Sequence, residues 1–173
     1  TFQDPLPSPY FSIVHGRVCN YKWKDIEIAN NVWNWQAFDD YIKLNADSLP
    51  IMLMIFTKEH SPDWLYTKAG VPRVIEYDIL RDSVGFAPYY PDPDYKFYFK
   101  RMIDSVSNHI MSYPFSLRRL LTGIQPCFGE EGEYLGYRNY AGSDTGIMHV
   151  DSVNRLNPKQ LSDLFKEFNL DYY

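Results

Sequence analysis

The chain carries two continuous apolar runs of strand length. One is LPIMLMIF at residues 49–56 and the other is LLTGIQPCF at residues 120–128. Such runs are typical of strands that are covered on both faces, as in parallel sheets. A third segment, 10–26, contains the aromatic and β-branched stretch YFSIVHGRV and the alternating stretch YKWKDI. This segment predicts one or two further strands.

Three other segments have apolar residues at helical spacing. Residues 35–44 predict a helix with Asn34 as its cap. The Asp–Pro pair at 92–93 predicts the start of a long helix, because aspartate caps helices and proline suits the first helical position. The Asn–Pro pair at 157–158 predicts a last helix in the same way. Between residues 57 and 91, six prolines or glycines predict a long irregular loop.

The predicted elements alternate between strand and helix along the chain. This order predicts an α/β fold with parallel strands and right-handed crossovers, and both a doubly wound sheet and a (β/α)8 barrel fit it. In both folds, functional residues gather at the carboxyl ends of the strands. The polar and aromatic clusters WKDIE, TKEHSPDW and GEEGEY follow predicted strands. No Gly-rich phosphate loop follows the first strand, which argues against a nucleotide site.

The aromatic share of the chain is 17%, with 15 Tyr, 11 Phe and 4 Trp. Aromatic clefts suit sugars, because a pyranose ring offers a C–H face for stacking and hydroxyls for hydrogen bonds. A Tyr-rich core and rim would give the same composition, so the composition does not separate the two interpretations.

Charge and cysteine content exclude several classes of function. A net charge of -5 without a basic run argues against a nucleic-acid partner. No stretch approaches the roughly 20 apolar residues of a membrane helix, so we expect no membrane span. Cys19 and Cys127 are too few for a disulfide framework, and two free thiols or a single disulfide both remain open. No histidine pair has metal-ligand spacing, so we expect neither a metal nor a cofactor.

The stretch GIQPCFGEEGEYLGY places Glu130, Glu131 and Glu133 within four positions, directly after a predicted strand. Carboxylates this close repel each other and destabilise the fold, but a catalytic site can use the same repulsion to keep one carboxyl group protonated. Crowding and burial raise a carboxyl pKa, which a proton donor near neutral pH requires. The alternatives are a solvated acidic turn and a cation site.

Other side chains in these clusters are candidates for substrate contacts: Trp23, Glu27, His60, Trp64, Gln125, Tyr137 and Arg138. Trp64 fits either a sugar-stacking platform or a loop anchor. Glu27 fits either a hydroxyl contact or an ion pair with Lys22 or Lys24. His60 also fits a surface or structural role. Gln125 interrupts an apolar strand and therefore predicts a polar residue that faces the interior of a barrel.

The clusters WKDIE, TKEHSPDW and GEEGEY, in this order, resemble the N-terminal half of a clan A glycoside-hydrolase (β/α)8 barrel. YKWKDIEIANNVWNWQAFDDYI resembles the stretch before the second helix of such enzymes, and PIMLMIFTKEHSPDWL resembles their third strand and substrate loop. GIQPCFGEEGEYLGY resembles their fourth strand, which ends at the acid/base glutamate, and is also similar to a turn of the beta-amylase family. The resemblance gives Glu133 the role of general acid. Glu131 in the same turn is a second candidate, as an acceptor of a hydrogen bond from a sugar hydroxyl.

The resemblance implies one domain, 1–173, that comprises about the first four βα units of a TIM-barrel-like fold. It implies hydrolysis of a polysaccharide or oligosaccharide by a secreted or periplasmic protein. The stereochemical outcome is open, and clan A membership would imply retention of configuration. A full barrel takes about 250 residues, so the second carboxylate and the remaining half of the barrel would come from elsewhere. The alternatives are a non-catalytic carbohydrate-binding protein on this scaffold and a structural subunit that completes a barrel with another chain.

Overall fold

A three-stranded parallel sheet with helices on one face forms the centre of the described molecule. The computed structural model describes residues 15–46, 49–78, 83–90, 92–127, 148–150 and 154–156. The strands are β1 (Arg17–Lys22), β2 (Glu27–Ala29), β3 (Val32–Trp33), β4 (Ile51–Phe56), β5 (Arg73–Asp78), β6 (Ser83–Pro88), β7 (Leu121–Cys127), β8 (Met148–Val150) and β9 (Asn154–Leu156). The helices are α1 (Trp23–Ile26), α2 (Trp35–Asn45), α3 (Trp64–Thr67), α4 (Pro93–Met111) and α5 (Phe115–Arg118), with a 3-10 helix at Lys58–His60.

The central sheet has the strand order β1-β4-β7, and both pairings are parallel. Cys19, Leu53 and Ile124 lie side by side in register across it. The chain passes through α2 between the first two strands and through α4 and α5 between the last two. The predictions of an α/β fold and of parallel strands are confirmed, and closure into a barrel stays a prediction.

The two faces of the central sheet differ in burial. Ile51, Leu53 and Ile55 have no exposed surface and belong to one core cluster with residues of α2 and α4. The alternate residues of β4, Met52, Met54 and Phe56, point to the other side of the sheet and are only partly buried. We call this other side the open face. The helices thus cover one face of the sheet.

The two long helices begin where the sequence predicts them. The Asp92 side chain accepts hydrogen bonds from the backbone N–H groups of Asp94 at 2.9 Å and Tyr95 at 3.0 Å, which confirms it as the cap of α4. Asn34 occupies the cap position of α2, but its side chain makes no capping hydrogen bond. The helix predicted after residue 157 lies outside the described residues.

The prediction of a long irregular loop over residues 57–91 is wrong. This segment contains the 3-10 helix, α3 and the antiparallel pair of β5 with β6. These two strands continue through β8 and β9 as a sheet of order β6-β5-β8-β9. Pro62, Gly70 and Pro72 fall between these elements, whereas Gly85 and Pro88 lie inside β6, so the summed composition hides the strands.

A polar cluster joins α2 to the end of α4. Asp39 Oδ1 lies 2.6 Å from His109 Nε2 and 2.6 Å from the Tyr113 hydroxyl. The His109 ring also stacks on Trp35, with centroids 4.1 Å apart. Burial alone would raise the pKa of Asp39, but the hydrogen bonds from Tyr113 and His109 outweigh it and hold this pKa below its ordinary value.

Replacing Asp39 by asparagine is expected to lower the free energy of unfolding by about 1 to 2 kcal/mol at pH 6, because two donors lose a charged acceptor. An aspartate with a lowered pKa binds its proton less readily when folded. Its contribution is therefore complete above the ordinary pKa of about 3.9 and is lost as the pH falls through the lowered value. Urea unfolding of both proteins, followed by circular dichroism from pH 6 to pH 3, measures the difference.

The matched control for this prediction is D40N. Asp40 is the exposed neighbour of Asp39 and accepts a hydrogen bond from Gln36 at 2.9 Å. A change within about 0.5 kcal/mol is expected for this surface substitution. A constant difference between wild type and D39N at all pH values would contradict the prediction.

Candidate functional site at the carboxyl ends of the parallel strands

The carboxyl ends of the three parallel strands lie at one edge of the sheet. Their last residues, Lys22, Phe56 and Cys127, are aligned in register. The segment after β1 forms α1 and the β2–β3 hairpin, and the segment after β4 forms the 3-10 helix and α3. Because parallel strands end on the same side, these segments leave the sheet together, and we call this side the carboxyl edge.

Glu27 is the most buried charged residue at the carboxyl edge, with 0% of its surface exposed. Its Oε2 accepts a hydrogen bond from Trp23 Nε1 at 3.0 Å, and its Oε1 accepts one from the backbone N–H of Asn31 at 2.8 Å. Oε1 also accepts a hydrogen bond from the Arg101 guanidinium. The alternative of an ion pair with Lys22 or Lys24 is wrong, since both lysines are exposed and the cation that pairs with Glu27 lies on α4.

Burial raises the pKa of the Glu27 carboxyl above its ordinary value. The hydrogen bonds from Trp23 and Asn31 and the charge of Arg101 oppose this rise, because each of them stabilises the ionised form. Both carboxylate oxygens are occupied by protein donors. Glu27 is therefore arranged to organise the carboxyl edge, rather than to exchange a proton with a ligand.

Arg101 connects three segments of the structure. Its Nη1 donates to Asn30 Oδ1 at 2.8 Å. Its Cζ lies 4.8 Å from the ring centroid of Tyr98, 5.5 Å from that of Trp64 and 6.0 Å from that of Trp33. A guanidinium enclosed by aromatic rings gains cation–π attraction. Arg101 thus holds the β2–β3 hairpin and α3 against α4.

Trp23 and Trp64 are packed inside the carboxyl edge. Trp23 is 0% exposed and Trp64 is 6% exposed. Their rings meet edge to face with centroids 6.5 Å apart, and Trp64 Nε1 donates to the backbone oxygen of Glu27 at 3.3 Å. Trp23 therefore presents no open face to a sugar in this structure, and Trp64 has the contacts of a loop anchor.

His60 lies at the end of the 3-10 helix, with its side chain 25% exposed. Its ring meets the Phe56 ring at 84°, and its Nε2 is 3.7 Å from Glu59 Oε1. Burial lowers the pKa of His60, and the charge of Glu59 opposes this effect. Its Nδ1 is buried and makes no hydrogen bond to any described residue. The ring nitrogen without a described partner is thus the buried one, and the ligand contact of His60 stays a prediction.

Gln125 lies beside Met54 in the register of β4 and β7. Paired residues of neighbouring strands point to the same side of a sheet. Gln125 therefore shares the open face with Met54, on the side away from the helices. The remaining predicted site residues lie outside the described residues: Glu131, Glu133, Tyr137 and Arg138.

The sequence did not indicate the importance of Arg101. It lies between Phe99 and Met102, which belong to the buried face of α4, and it is 74 residues from Glu27 in the chain. No local pattern connects residues this far apart. A polar residue next to the apolar stripe of a predicted helix was the only available signal.

Comparisons with known proteins identify no relative. No family model matches the sequence, and no curated protein or solved structure is significantly similar to it. Within the part of the chain that the structure describes, no helix is long and apolar enough to cross a lipid bilayer. The same residues contain no group of three or more metal-ligating side chains. A function for this chain is therefore inferred from its fold, its carboxyl edge and its sequence motifs.

Proposed function

We propose that this chain forms the N-terminal part of a (β/α)8 barrel that hydrolyses glycosidic bonds in a polysaccharide or oligosaccharide, with Glu133 as the proton donor. The strand order β1-β4-β7 is the observation that carries this proposal. In a (β/α)8 barrel each parallel strand lies beside the preceding one, whereas a doubly wound sheet reverses its order at a switch point. The three strands follow the chain order without a reversal, as consecutive barrel strands do and as the strands within one half of a doubly wound sheet also do.

The open face of the sheet gives further support. Val18 lies beside Met52 on this face and is 53% exposed. Among the described residues, β1 and β7 each have a strand neighbour on one side only. Parallel sheets are normally covered on both faces. Barrel closure would pair both outer strands and bury this face in the barrel interior.

The position of the glutamates in the sequence supports the chemical role. Glu133 follows Cys127, the last residue of β7, by six positions. Glycosidases typically use one carboxylic acid that protonates the leaving oxygen and a second carboxylate as nucleophile or base. Glu27 is paired with Arg101, so under this proposal the second carboxylate comes from the remaining half of the barrel. The reaction then needs no cofactor.

Replacing Glu133 by glutamine in the full-length protein is expected to lower kcat/KM for oligosaccharides by at least about 10²-fold, because proton donation to the leaving oxygen is lost. Dinitrophenyl glycosides have a leaving group that departs without protonation, so their cleavage should fall much less. Comparing the two substrate types measures the role of Glu133 as an acid. E130Q is the matched control, and circular dichroism checks the fold.

Near-normal oligosaccharide hydrolysis by E133Q would overturn the assignment of Glu133. If the wild-type protein binds oligosaccharides without turning them over, the non-catalytic carbohydrate-binding alternative gains support instead. Equal losses on both substrate types would indicate that Glu133 acts by some route other than proton donation.

A further inference from the structure

The turn between β2 and β3 presents two exposed side-chain amides, Asn30 and Asn31. Asn30 Oδ1 accepts a hydrogen bond from Arg101 Nη1 at 2.8 Å, and Asn31 Oδ1 accepts one from Trp33 Nε1 at 3.1 Å. Guanidinium and indole N–H groups only donate, so the atom that each of them meets must be the amide oxygen. These bonds fix the orientation of both amides, and the NH₂ groups make no hydrogen bond within the described part of the chain.

The backbone of this turn is fixed as well. Asn31 has a φ of 60°, in the left-handed region that asparagine adopts more readily than most residues. Its backbone N–H donates to the buried Glu27 carboxylate at 2.8 Å. Glu27 and Arg101 therefore hold the turn from the inside. Donors that are already oriented lose little conformational entropy when a ligand binds.

The surroundings of the turn favour a neutral polyhydroxylated ligand. Ile28 and Val32 flank the two asparagines and are 59% and 49% exposed. Apolar surface beside amide donors matches a pyranose ring, which has a C–H face and hydroxyl oxygens. Glu27 and Arg101 balance each other's charge, and the chain carries a net charge of -5, so neither feature attracts a polyanion.

We propose that the hairpin tip Ile28–Val32 is a sugar-binding subsite, in which the amide N–H groups of Asn30 and Asn31 donate to hydroxyl oxygens of a neutral oligosaccharide. The choice of ligand class rests on the proposed function. The hairpin leaves the sheet at the carboxyl edge, the same edge at which β7 ends. A subsite at this hairpin would contact the oligosaccharide near the end of β1.

The test uses N30D and N31D, each of which removes an NH₂ donor and adds one negative charge. Aspartate keeps an oxygen for Arg101 or Trp33 and also tolerates positive φ. Each loss of a ligand hydrogen bond is expected to weaken binding by about five- to tenfold. Affinity electrophoresis in gels that contain neutral xylan, glucomannan or galactan, with calorimetry on the matching oligosaccharide, measures this effect. N34D places the same charge just beyond the hairpin and serves as the control.

Weaker binding by N30D and N31D, with N34D and all melting temperatures unchanged, would support the subsite. Wild-type affinity in both variants, or no affinity of the wild-type protein for any neutral glycan, would overturn it. Turnover measured in parallel separates the two proposals. If E133Q retains normal hydrolysis while N30D binds weakly, the result contradicts only the role of Glu133 as proton donor. If E133Q loses hydrolysis while both asparagine variants bind normally, the result contradicts only the sugar-binding subsite.

Discussion

Replacing Arg101 by methionine is expected to lower the free energy of unfolding by about 3 to 5 kcal/mol, because the fully buried Glu27 carboxylate loses its cation. Methionine keeps much of the length of arginine and its apolar contact with Trp64 and Tyr98. The loss should therefore reflect the charge rather than a cavity. Urea unfolding followed by circular dichroism at pH 7 measures it.

K100M is the matched control for this prediction. Lys100 precedes Arg101 in α4, is 76% exposed and pairs with Asp104 on the helix surface. Exposed pairs of this kind contribute about 0.5 kcal/mol or less. The double variant E27Q/R101M, which leaves no buried charge, is expected to recover part of the loss.

The loss in R101M should also depend on pH. Burial raises the pKa of Glu27, so the folded protein binds this proton more readily than the unfolded chain does. Stability linked to this group is therefore present at low pH and is lost as the pH rises through the raised value. The deficit of R101M should shrink on acidification, since a protonated Glu27 needs no cation. A deficit below about 1 kcal/mol at pH 7 would contradict the buried ion pair.

Replacing Phe38 by alanine is expected to lower the free energy of unfolding by about 3 to 5 kcal/mol, because the ring is fully buried. Phe38 lies where three elements meet. Its ring centroid is 5.3 Å from that of Tyr21 on β1 and 6.2 Å from that of His109 on α4. The cavity would therefore loosen α2 against both the sheet and α4.

The control for Phe38 is L44A on the same helix. Leu44 is 69% exposed, so its truncation should change the stability by less than about 0.5 kcal/mol. Denaturant unfolding of both variants gives the comparison. A loss below about 1 kcal/mol in F38A would show that the junction between α2, β1 and α4 tolerates repacking.

The two long helices, α2 and α4, and the central strands were predictable because their signals are local. The spacing of Phe38 and Ile42 defines the buried stripe of α2, and Asp92 with Pro93 defines the start of α4. The apolar run of Ile51–Phe56 predicted a buried strand, and its alternate residues are fully buried. Parallel pairing followed from the alternation of strands with helices.

The antiparallel sheet and the ion pair at the carboxyl edge were not predictable in this way. Strands β5 and β6 are as long as β1 and β4, at six residues each, but they lie in a segment with many prolines and glycines, and Gly85 and Pro88 fall inside β6. The contact between Glu27 and Arg101 spans 74 positions, and its geometry depends on how α4 packs. Tryptophan is ambiguous in sequence, since the same side chain suits a buried anchor and an exposed platform. The burial of Trp23 and Trp64 therefore needed the structure.

All four tryptophans of the chain belong to the cluster around Glu27 and Arg101. Trp23 donates to Glu27, Trp33 and Trp64 surround Arg101, and Trp35 stacks on Trp33 with centroids 4.9 Å apart. Intrinsic indole emission from this protein therefore originates from a single neighbourhood. It can serve as a built-in optical reporter of events there, without any label, while the sheet of β5, β6, β8 and β9 contributes no signal.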